Sequence, residues 1–381
     1  MSSIIPYGRQ SINQSDIDAV TEALKSDFLT QGPRVKEFED SFAKYVDAKY
    51  AVAVCNATAG LHLATLALGV SNGKSVITTP NTFVATSNSV LYSGGEVVFA
   101  DIDPKTYCLD PNRVEDLLKK SPGKHVGIMP VDFAGLPSRM EDFKTLSEKY
   151  GVWIIEDGCH APGATFTTRN GIQKVGNGNY ADITSFSFHP VKHIACGEGG
   201  MLTTNDEKVY RKLMQLRTHG ITKDRSEMTE YDGGWDYEMQ VLGFNYRISD
   251  ILCALGNSQL KRADESLDRR QKIADLYQKE LSGLPLVLPH VESGSRHAYH
   301  LYVIRTEKRK ELFDHLKMND IYSQVHYIPV HQQPYYINRY GKQTFEQSEN
   351  FYQECLSIPM YPTLTEEQQM RVIDSIKKFY G

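Results

Sequence analysis

Residues 182–204 read DITSFSFHPVKHIACGEGGMLTT and combine two apolar strand patterns with a single lysine. The first pattern, residues 183–188, predicts a buried strand that runs into a turn at Lys192. A glycine-rich segment, residues 197–200, then precedes a second short strand pattern at residues 201–204. Lys192 is either a surface lysine in a loop or a lysine whose pKa is lowered by burial, as a nucleophile toward aldehydes requires. The surrounding sequence has to decide between these interpretations.

Upstream of this stretch, short apolar strand patterns alternate with helical patterns. Strands are predicted at residues 50–54, 75–78, 96–100, 125–131 and 152–156, and helices at residues 57–68, 83–91, 111–118 and 139–150. Parallel strands need crossover connections of this kind, usually helical. The alternation therefore predicts an α/β fold with a mostly parallel central sheet and helices on both faces.

The flanking segments predict further helices and a second unit. Before the alternation lie two helices, one capped by Asn13 or Ser15 and one through residues 35–45. After it we expect a hairpin at residues 169–171, a helix at 208–216, a long functional loop at 220–240 and a long helix from Ser249, bent near Ala263. Strands at residues 299–304 and 322–328, and helices at 308–318 and 365–379, predict a smaller α+β unit. We therefore divide the chain into a large domain with an N-terminal arm, residues 1–250, and a connecting helix with a small domain, residues 251–381.

Length and charge narrow the function classes. At 381 residues, the chain exceeds the usual size of one hydrophobic core. Its 42 basic and 47 acidic side chains give a net charge of −5, which offers no sign of nucleic-acid binding. We expect no metal, since the six cysteines lack ligand spacing, and no membrane span. A cytoplasmic enzyme with reduced cysteines is the expectation.

Several side chains fall where parallel strands end, which is where ligands bind in open sheets. Asp157 ends a buried strand and is either a helix cap or a functional acid. Residues 56–60, including Thr58 and Ala59, begin an apolar helix and suit either a simple cap or a phosphate site. Ser187 is either a structural strand residue or a second phosphate ligand. Phe83, at the next junction, is either a core residue or an aromatic ring that stacks on a flat ligand.

Six motifs in one order resemble a known family. They are NATAGLHL at residues 56–63, TPNTFVAT at 79–86, EDGCHA at 156–161, SFSFHPVK at 185–192, GEGG at 197–200 and GFNYRISD at 243–250. Together they resemble the DegT/DnrJ/StrS sugar aminotransferases, which are fold-type I enzymes that use pyridoxal phosphate. The resemblance covers most of the chain. Its only departure of note is Gly158-Cys159, where the family usually has other small residues.

The resemblance implies roles for individual residues. Lys192 matches the Schiff-base lysine, and Asp157 the acid that keeps the pyridine nitrogen protonated. Phe83 matches the aromatic residue that stacks on the cofactor, and His160 stands near its phenolic oxygen. The phosphate is expected to contact Thr58, Ala59 and Ser187. Asn245 matches an asparagine that reaches the phosphate of a neighbouring subunit, which implies a homodimer with a shared active site. Since the lysine is kept, transamination is expected rather than dehydration.

Shorter segments suggest the substrate. The stretches at residues 188–192, 245–246 and 324–329 resemble those of family members that aminate C4 of a UDP-linked 2-acetamido-2,6-dideoxy-4-hexulose, on the route to pseudaminic acid. Tyr7, Thr30, His326 and Tyr327 are then expected near the sugar, with glutamate as the amino donor. The last two residues also fit a plain strand with one polar face. Amination of another nucleotide keto sugar, and non-catalytic binding of a nucleotide sugar, remain open alternatives.

Overall fold

A computed structural model describes residues 4–381 of the protein, so the first three residues of the predicted large domain lie outside the described part. Within it, the helices are α1 Gln14–Lys25, α2 Pro33–Val46, α3 Ala57–Ala67, α4 Val84–Tyr92, α5 Pro111–Lys120, α6 Met140–Tyr150, α7 Glu207–Arg217, α8 Asp250–Leu260, α9 Ala263–Leu281, α10 Arg309–Met318, α11 Pro334–Tyr340, α12 Glu346–Glu354 and α13 Glu366–Tyr380. The strands are β1 Tyr50–Val54, β2 Ser75–Thr78, β3 Glu96–Phe99, β4 His125–Met129, β5 Trp153–Asp157, β6 Thr165–Thr168, β7 Gly171–Lys174, β8 Ile183–Ser187, β9 Gly200–Thr204, β10 Ile221–Thr222, β11 Glu238–Met239, β12 Tyr302–Arg305 and β13 Cys355–Ile358.

Seven strands form the central sheet, in the order β1-β9-β8-β5-β4-β2-β3. The pairs β8–β5, β5–β4, β4–β2 and β2–β3 are parallel, and β9 runs antiparallel to both neighbours. The predicted α/β fold with a mostly parallel sheet is confirmed. β5 lies at the middle of the sheet, and the next strand beside it, β8, leads into the Lys192 turn.

Separate apolar cores lie on the sheet and in the C-terminal part of the chain. One core packs α2 and α6 against the sheet, and another packs α3, α4 and α7 against it. A further core joins α9, α10 and α13 to β12 and β13. The predicted division near residue 250 stays a prediction, although α8 contacts α1 and α2 whereas α9 contacts α13. The predicted bend is a break between α8 and α9, at residues 261–262.

The predicted strand at residues 322–328 is wrong. Gln324 alone pairs there, through an isolated bridge to Ser357, and no extended ladder forms. His326 and Tyr327 both line the central cavity described below. Consecutive side chains of a strand point to opposite faces, so a regular strand would remove one of these two from the cavity.

The strand predicted at residues 299–304 begins later, at Tyr302. Tyr299 has a φ of 46°, in the left-handed region that a non-glycine residue rarely adopts. Its N–H donates to Nδ1 of His297 at 2.8 Å instead of joining a ladder. The unusual backbone conformation therefore shortens the strand, and the next residue, His300, lines the central cavity.

Gly200 allows β9 to pass close to the start of α3. A Cβ at Gly200 would lie 2.7 Å from the backbone N of Ala57 and 2.8 Å from the carbonyl carbon of Asn56. Backbone atoms cannot retreat as the end of a side chain can, so overpacking here is costly. The glycine segment therefore permits the close approach on which the position of α3 depends.

Gly200→Ala is expected to lower the free energy of unfolding by about 1–3 kcal/mol, since the added methyl pushes α3 away from β9. Chemical denaturation of the purified protein measures the change. Gly199→Ala is the matched control, because its Cβ would meet only side-chain atoms, at 3.2–3.3 Å. Equal losses in both variants would contradict the role given to the backbone contact.

Candidate active site

A cavity of about 420 Å³ opens at the carboxyl ends of the parallel strands. The loops after β1, β2, β5 and β8 supply most of its wall, and the C-terminal unit closes one side with His300, His326 and Tyr327. Ligands of open α/β sheets bind at this edge, because the connections diverge there. The cavity is thus where the sequence motifs predict the site to lie.

Lys192 lines this cavity from the turn after β8. Its backbone N–H donates to the carbonyl of His189 at 2.8 Å, which closes the turn. Burial lowers the pKa of the amine to about 8, and neighbouring Cys159 and Asp157 oppose part of that shift. An amine with a lowered pKa is neutral, and therefore nucleophilic, at a lower pH than a surface lysine. The interpretation of Lys192 as an ordinary surface lysine does not fit this position.

Asp157 ends β5, is 5% exposed and also lines the cavity. The Thr86 hydroxyl donates to its Oδ2 at 2.6 Å, and the Cys159 N–H donates to its Oδ1 at 3.2 Å. Thr86 in turn lies 2.8 Å from the hydroxyl of Thr82, so the carboxylate belongs to a short hydroxyl chain. These bonds fix one orientation of the carboxylate group inside the cavity.

Glu156 points to the opposite face of β5, as strand alternation predicts. It accepts a hydrogen bond from the Thr184 hydroxyl at 2.8 Å and interacts with the buried carboxyl group of Asp132. Burial raises the pKa of both carboxyl groups. Asp132 Oδ2 and Glu156 Oε1 have no other partner in the described part of the chain. A single proton shared by the two carboxyl groups would satisfy both oxygens.

Glu156→Gln is expected to make the protein more stable than wild type at alkaline pH. Because the folded pKa of Glu156 is raised, the stability that its proton supplies is present at low pH and is lost as pH rises through the folded pKa. The amide keeps a donor for Asp132 and an acceptor for Thr184 at every pH. Melting temperatures between pH 6 and 9 measure the effect, and parallel curves for the two proteins would contradict it.

The helix start at α3 is arranged for an anion, with one difference from the prediction. Asn56 caps the helix, and its Oδ1 accepts the N–H of Ala59 at 2.8 Å. That N–H is therefore already used, and Ala59 does not line the cavity. Thr58 and Ser187 do line the cavity, and so does Ala57. The first turn of the helix, where backbone N–H groups have no intrahelical partner, therefore borders it.

Phe83 is 57% exposed and lines the cavity, so its interpretation as a core residue is wrong. Its ring centre lies 6.1 Å from that of Tyr327. The buried His160 lies on the wall beyond, where the Tyr327 hydroxyl is 3.2 Å from its Nε2. Burial holds the pKa of His160 well below its usual value, so the ring is neutral. An exposed aromatic face and a neutral imidazole thus border the same space.

The residues predicted to contact a sugar are only partly brought together. Tyr7, His326 and Tyr327 line the cavity, and the rings of Tyr7 and His326 lie 5.4 Å apart. Thr30 does not line it; it is exposed and forms an isolated bridge to Ser249. Asn245 is also exposed and absent from this wall.

The positions of two histidines were not predicted from the sequence. His300 lies with its Nε2 3.4 Å from Nζ of Lys192. His193 lies 2.8 Å, through its Nε2, from the carbonyl oxygen of Ala298. Neither histidine lies at a strand end or helix start that would predict its position. Each contact also joins segments that are far apart in sequence, so no local pattern predicts it. Only the docking of the C-terminal unit on the sheet places them together.

The residues present fit pyridoxal phosphate. A helix start with two hydroxyls suits a phosphate, a fixed carboxylate suits a ring nitrogen, and Lys192 supplies the amine for the aldehyde. The exposed Phe83 ring provides a flat surface between them. The fold and cavity therefore define a fold-type I enzyme that binds pyridoxal phosphate.

Comparison with known proteins identifies the family. Residues 10–377 match the DegT/DnrJ/EryC1/StrS aminotransferase family. The chain belongs to this family, whose members are sugar aminotransferases that depend on pyridoxal phosphate. The fold class, the enzyme class and the cofactor predicted from the sequence are confirmed.

Three relatives indicate how far the similarity extends. The UDP-4-amino-4,6-dideoxy-N-acetyl-beta-L-altrosamine transaminase of Campylobacter jejuni is 37% identical, over 99% of this chain and 100% of that one. The spore coat polysaccharide biosynthesis protein SpsC of Bacillus subtilis is also 37% identical, over 98% of this chain and 96% of its own. The structure of PseC from Helicobacter pylori, an aminotransferase of pseudaminic acid biosynthesis, superposes with a TM-score of 0.90 at 30% identity and covers 99% of both chains.

Residues 4–381 contain neither a membrane-spanning helix nor a cluster of metal ligands. No helix there is long and apolar enough to cross a bilayer. No group of three or more histidine, cysteine, aspartate or glutamate side chains there is arranged to hold a metal ion. The six cysteines are all free thiols.

Proposed function

We propose that the protein transfers an amino group from L-glutamate to C4 of UDP-2-acetamido-2,6-dideoxy-β-L-arabino-hex-4-ulose, a step of pseudaminic acid biosynthesis. The cavity carries the argument, because Lys192 and Asp157 face the same space as His326 and Tyr327. A relative of nearly equal length is a transaminase of the corresponding amino sugar. The superposition on PseC supports the same substrate class.

In this proposal each residue has one task. When bound, the cofactor stabilises negative charge that develops at the donor α-carbon. In the donor half-reaction, Nζ of Lys192 removes the proton from that carbon. In the sugar half-reaction, it delivers a proton to C4 of the sugar. Asp157 keeps a proton on the ring nitrogen, while Thr58 and Ser187 hold the phosphate. Tyr7, His326 and Tyr327 orient the sugar.

A substrate panel tests the proposal. The purified protein is incubated with glutamate and a set of nucleotide keto sugars that differ in nucleotide and in the position of the carbonyl. NMR of the products locates the new amine. We expect amination at C4 of the UDP-linked 2-acetamido sugar. Preferred amination at C3, or of a TDP- or GDP-linked sugar, would replace this substrate by another, and tight sugar binding without turnover would favour a non-catalytic role.

We further propose a homodimer in which each subunit completes the partner's site. Three predicted site residues, Thr30, Ala59 and Asn245, do not line the cavity. Of these, Thr30 and Asn245 lie on neighbouring exposed segments, since the amide of Asp250 donates to the carbonyl of Leu29. Large apolar side chains are exposed along the stretches of chain that lead into these segments. They include Ile17, Leu24, Phe28, Leu29, Trp235 and Leu242, the last 78% exposed. An exposed apolar surface of this kind favours a protein interface.

A mixing experiment tests the shared site. Lys192→Ala and Asn245→Asp are each expected to be nearly inactive, the second because its charge repels the cofactor phosphate. Co-expression of both variants is expected to restore roughly a quarter of wild-type activity, since random pairing leaves one intact site in each mixed dimer. No recovery in mixtures whose dimers are verified by mass would place Asn245 and Lys192 in the same subunit's site.

A further inference from the structure

The ring of His300 lies within hydrogen-bonding distance of the Lys192 amine. Its Nε2 lies 3.4 Å from Nζ, and both side chains line the central cavity. His300 is buried and comes from the C-terminal unit, just before β12. The proposed reaction assigns no role to His300.

The position of this ring is fixed from several sides. It packs against His160, with ring centres 4.3 Å apart and ring planes tilted by 40°. The carbonyl of Ala298 is bound by His193 at 2.8 Å, and that of Tyr299 by Nη1 of Arg270 at 2.9 Å. Arg270 is 1% exposed and donates to backbone carbonyls rather than to a carboxylate. A buried arginine whose hydrogen bonds go to backbone carbonyls indicates that this segment must be held in place.

The protonation state follows from the surroundings. The charged or titratable groups that act most strongly on His300 are basic, namely Lys192, His160, His193 and Arg270. Burial, together with these neighbours, holds the pKa of His300 well below its usual value. A neutral imidazole has one donor and one acceptor nitrogen. Because an ammonium group only donates, Nε2 of His300 must accept in this contact whenever Lys192 is protonated.

We propose that His300 is a positioning residue whose Nε2 accepts a hydrogen bond from Lys192 and aims Nζ into the cavity whenever that amine is free of the cofactor. A lysine side chain has four rotatable bonds and no preferred direction of its own. One fixed acceptor restricts it to the orientation from which a proton is transferred. The inference rests on the cofactor site at Lys192 and not on the identity of the sugar.

Two substitutions separate the hydrogen bond from the packing of the ring. His300→Gln keeps an acceptor but removes the aromatic ring, whereas His300→Phe keeps a ring but removes the acceptor. The first readout uses cofactor-free protein, in which acetic anhydride labels Lys192 and peptide mass spectrometry follows its reactivity between pH 6 and 10. The second uses holoenzyme and follows exchange of the donor's α-proton into D₂O.

We expect His300→Phe to slow α-proton exchange by about 10- to 100-fold, as loss of a hydrogen bond to a charged group implies. Its labelling midpoint at Lys192 should move to lower pH, because the ammonium loses an acceptor. His300→Gln should recover most of both effects. Equal behaviour of the two variants, or slower α-proton exchange in His300→Gln alone, would overturn the proposal in favour of ring packing. Wild-type protein that fails to attach pyridoxal phosphate at Lys192 would instead contradict the site itself.

Discussion

Lys192→Ala is expected to lower turnover of any keto sugar by at least about 10⁴, because one group supplies both the attachment of the cofactor and the proton transfer. The rate is measured in steady state, with saturating donor and sugar. Borohydride treatment of wild type should fix the cofactor covalently to the peptide that carries Lys192. The same treatment of the variant should fix none.

The stability of this variant provides an internal control. Burial opposes the charged form of Lys192, whose pKa falls to about 8, so at pH 7 the buried ammonium costs the folded state free energy. Removing it should leave the melting temperature of cofactor-free protein unchanged or higher. Lys212→Ala is the matched surface control, since that amine only donates to the carbonyl of Ala67. Turnover by Lys192→Ala near the wild-type rate would end the proposed function.

The sheet was predictable because its strands carry their own signal. Apolar runs such as residues 152–156 alternate with helical patterns, and Asn13, one of the two caps predicted for the first helix, does cap α1. The C-terminal unit was harder. Tyr299 adopts a left-handed conformation, and His326 and Tyr327 enter the cavity side by side. Their local pattern is that of a strand, and the tertiary position of the segment overrides it.

The site residues also differ in whether a local sequence pattern predicts their positions. Asp157, Thr58, Ser187 and Phe83 follow strand ends or helix starts, so the fold class alone places them at one edge of the sheet. His300 follows neither, and its contact with Lys192 depends on how two separate cores dock. Thr30 and Asn245 differ again, because one chain leaves them on an exposed surface. Their place in the site depends on the proposed dimer, and a contact between subunits leaves no local pattern in the sequence.

The carboxylate of Asp157 is the other group whose loss should have a large effect. Asp157→Asn is expected to lower kcat by about 10²- to 10³-fold, which is typical when one preorganised charge or donor is removed from an active site. The amide has no charge with which to hold a proton on the ring nitrogen. KM for the amino donor should change little, because Asp157 is assigned to the cofactor. Stopped-flow decay of the cofactor absorbance on mixing with the donor measures the affected half-reaction.

Asn at position 157 also tests whether charge or geometry matters. The Thr86 hydroxyl that donates to Oδ2 can turn and accept from the amide instead, since it is also linked to Thr82. The network therefore survives the change, and the cofactor should still bind. Thr86→Val supplies the opposite case, in which the charge stays and its hydrogen bond goes, and we expect a loss of only about 10-fold. If valine at 86 proved as damaging as asparagine at 157, orientation of the carboxylate rather than its charge would explain the role of Asp157.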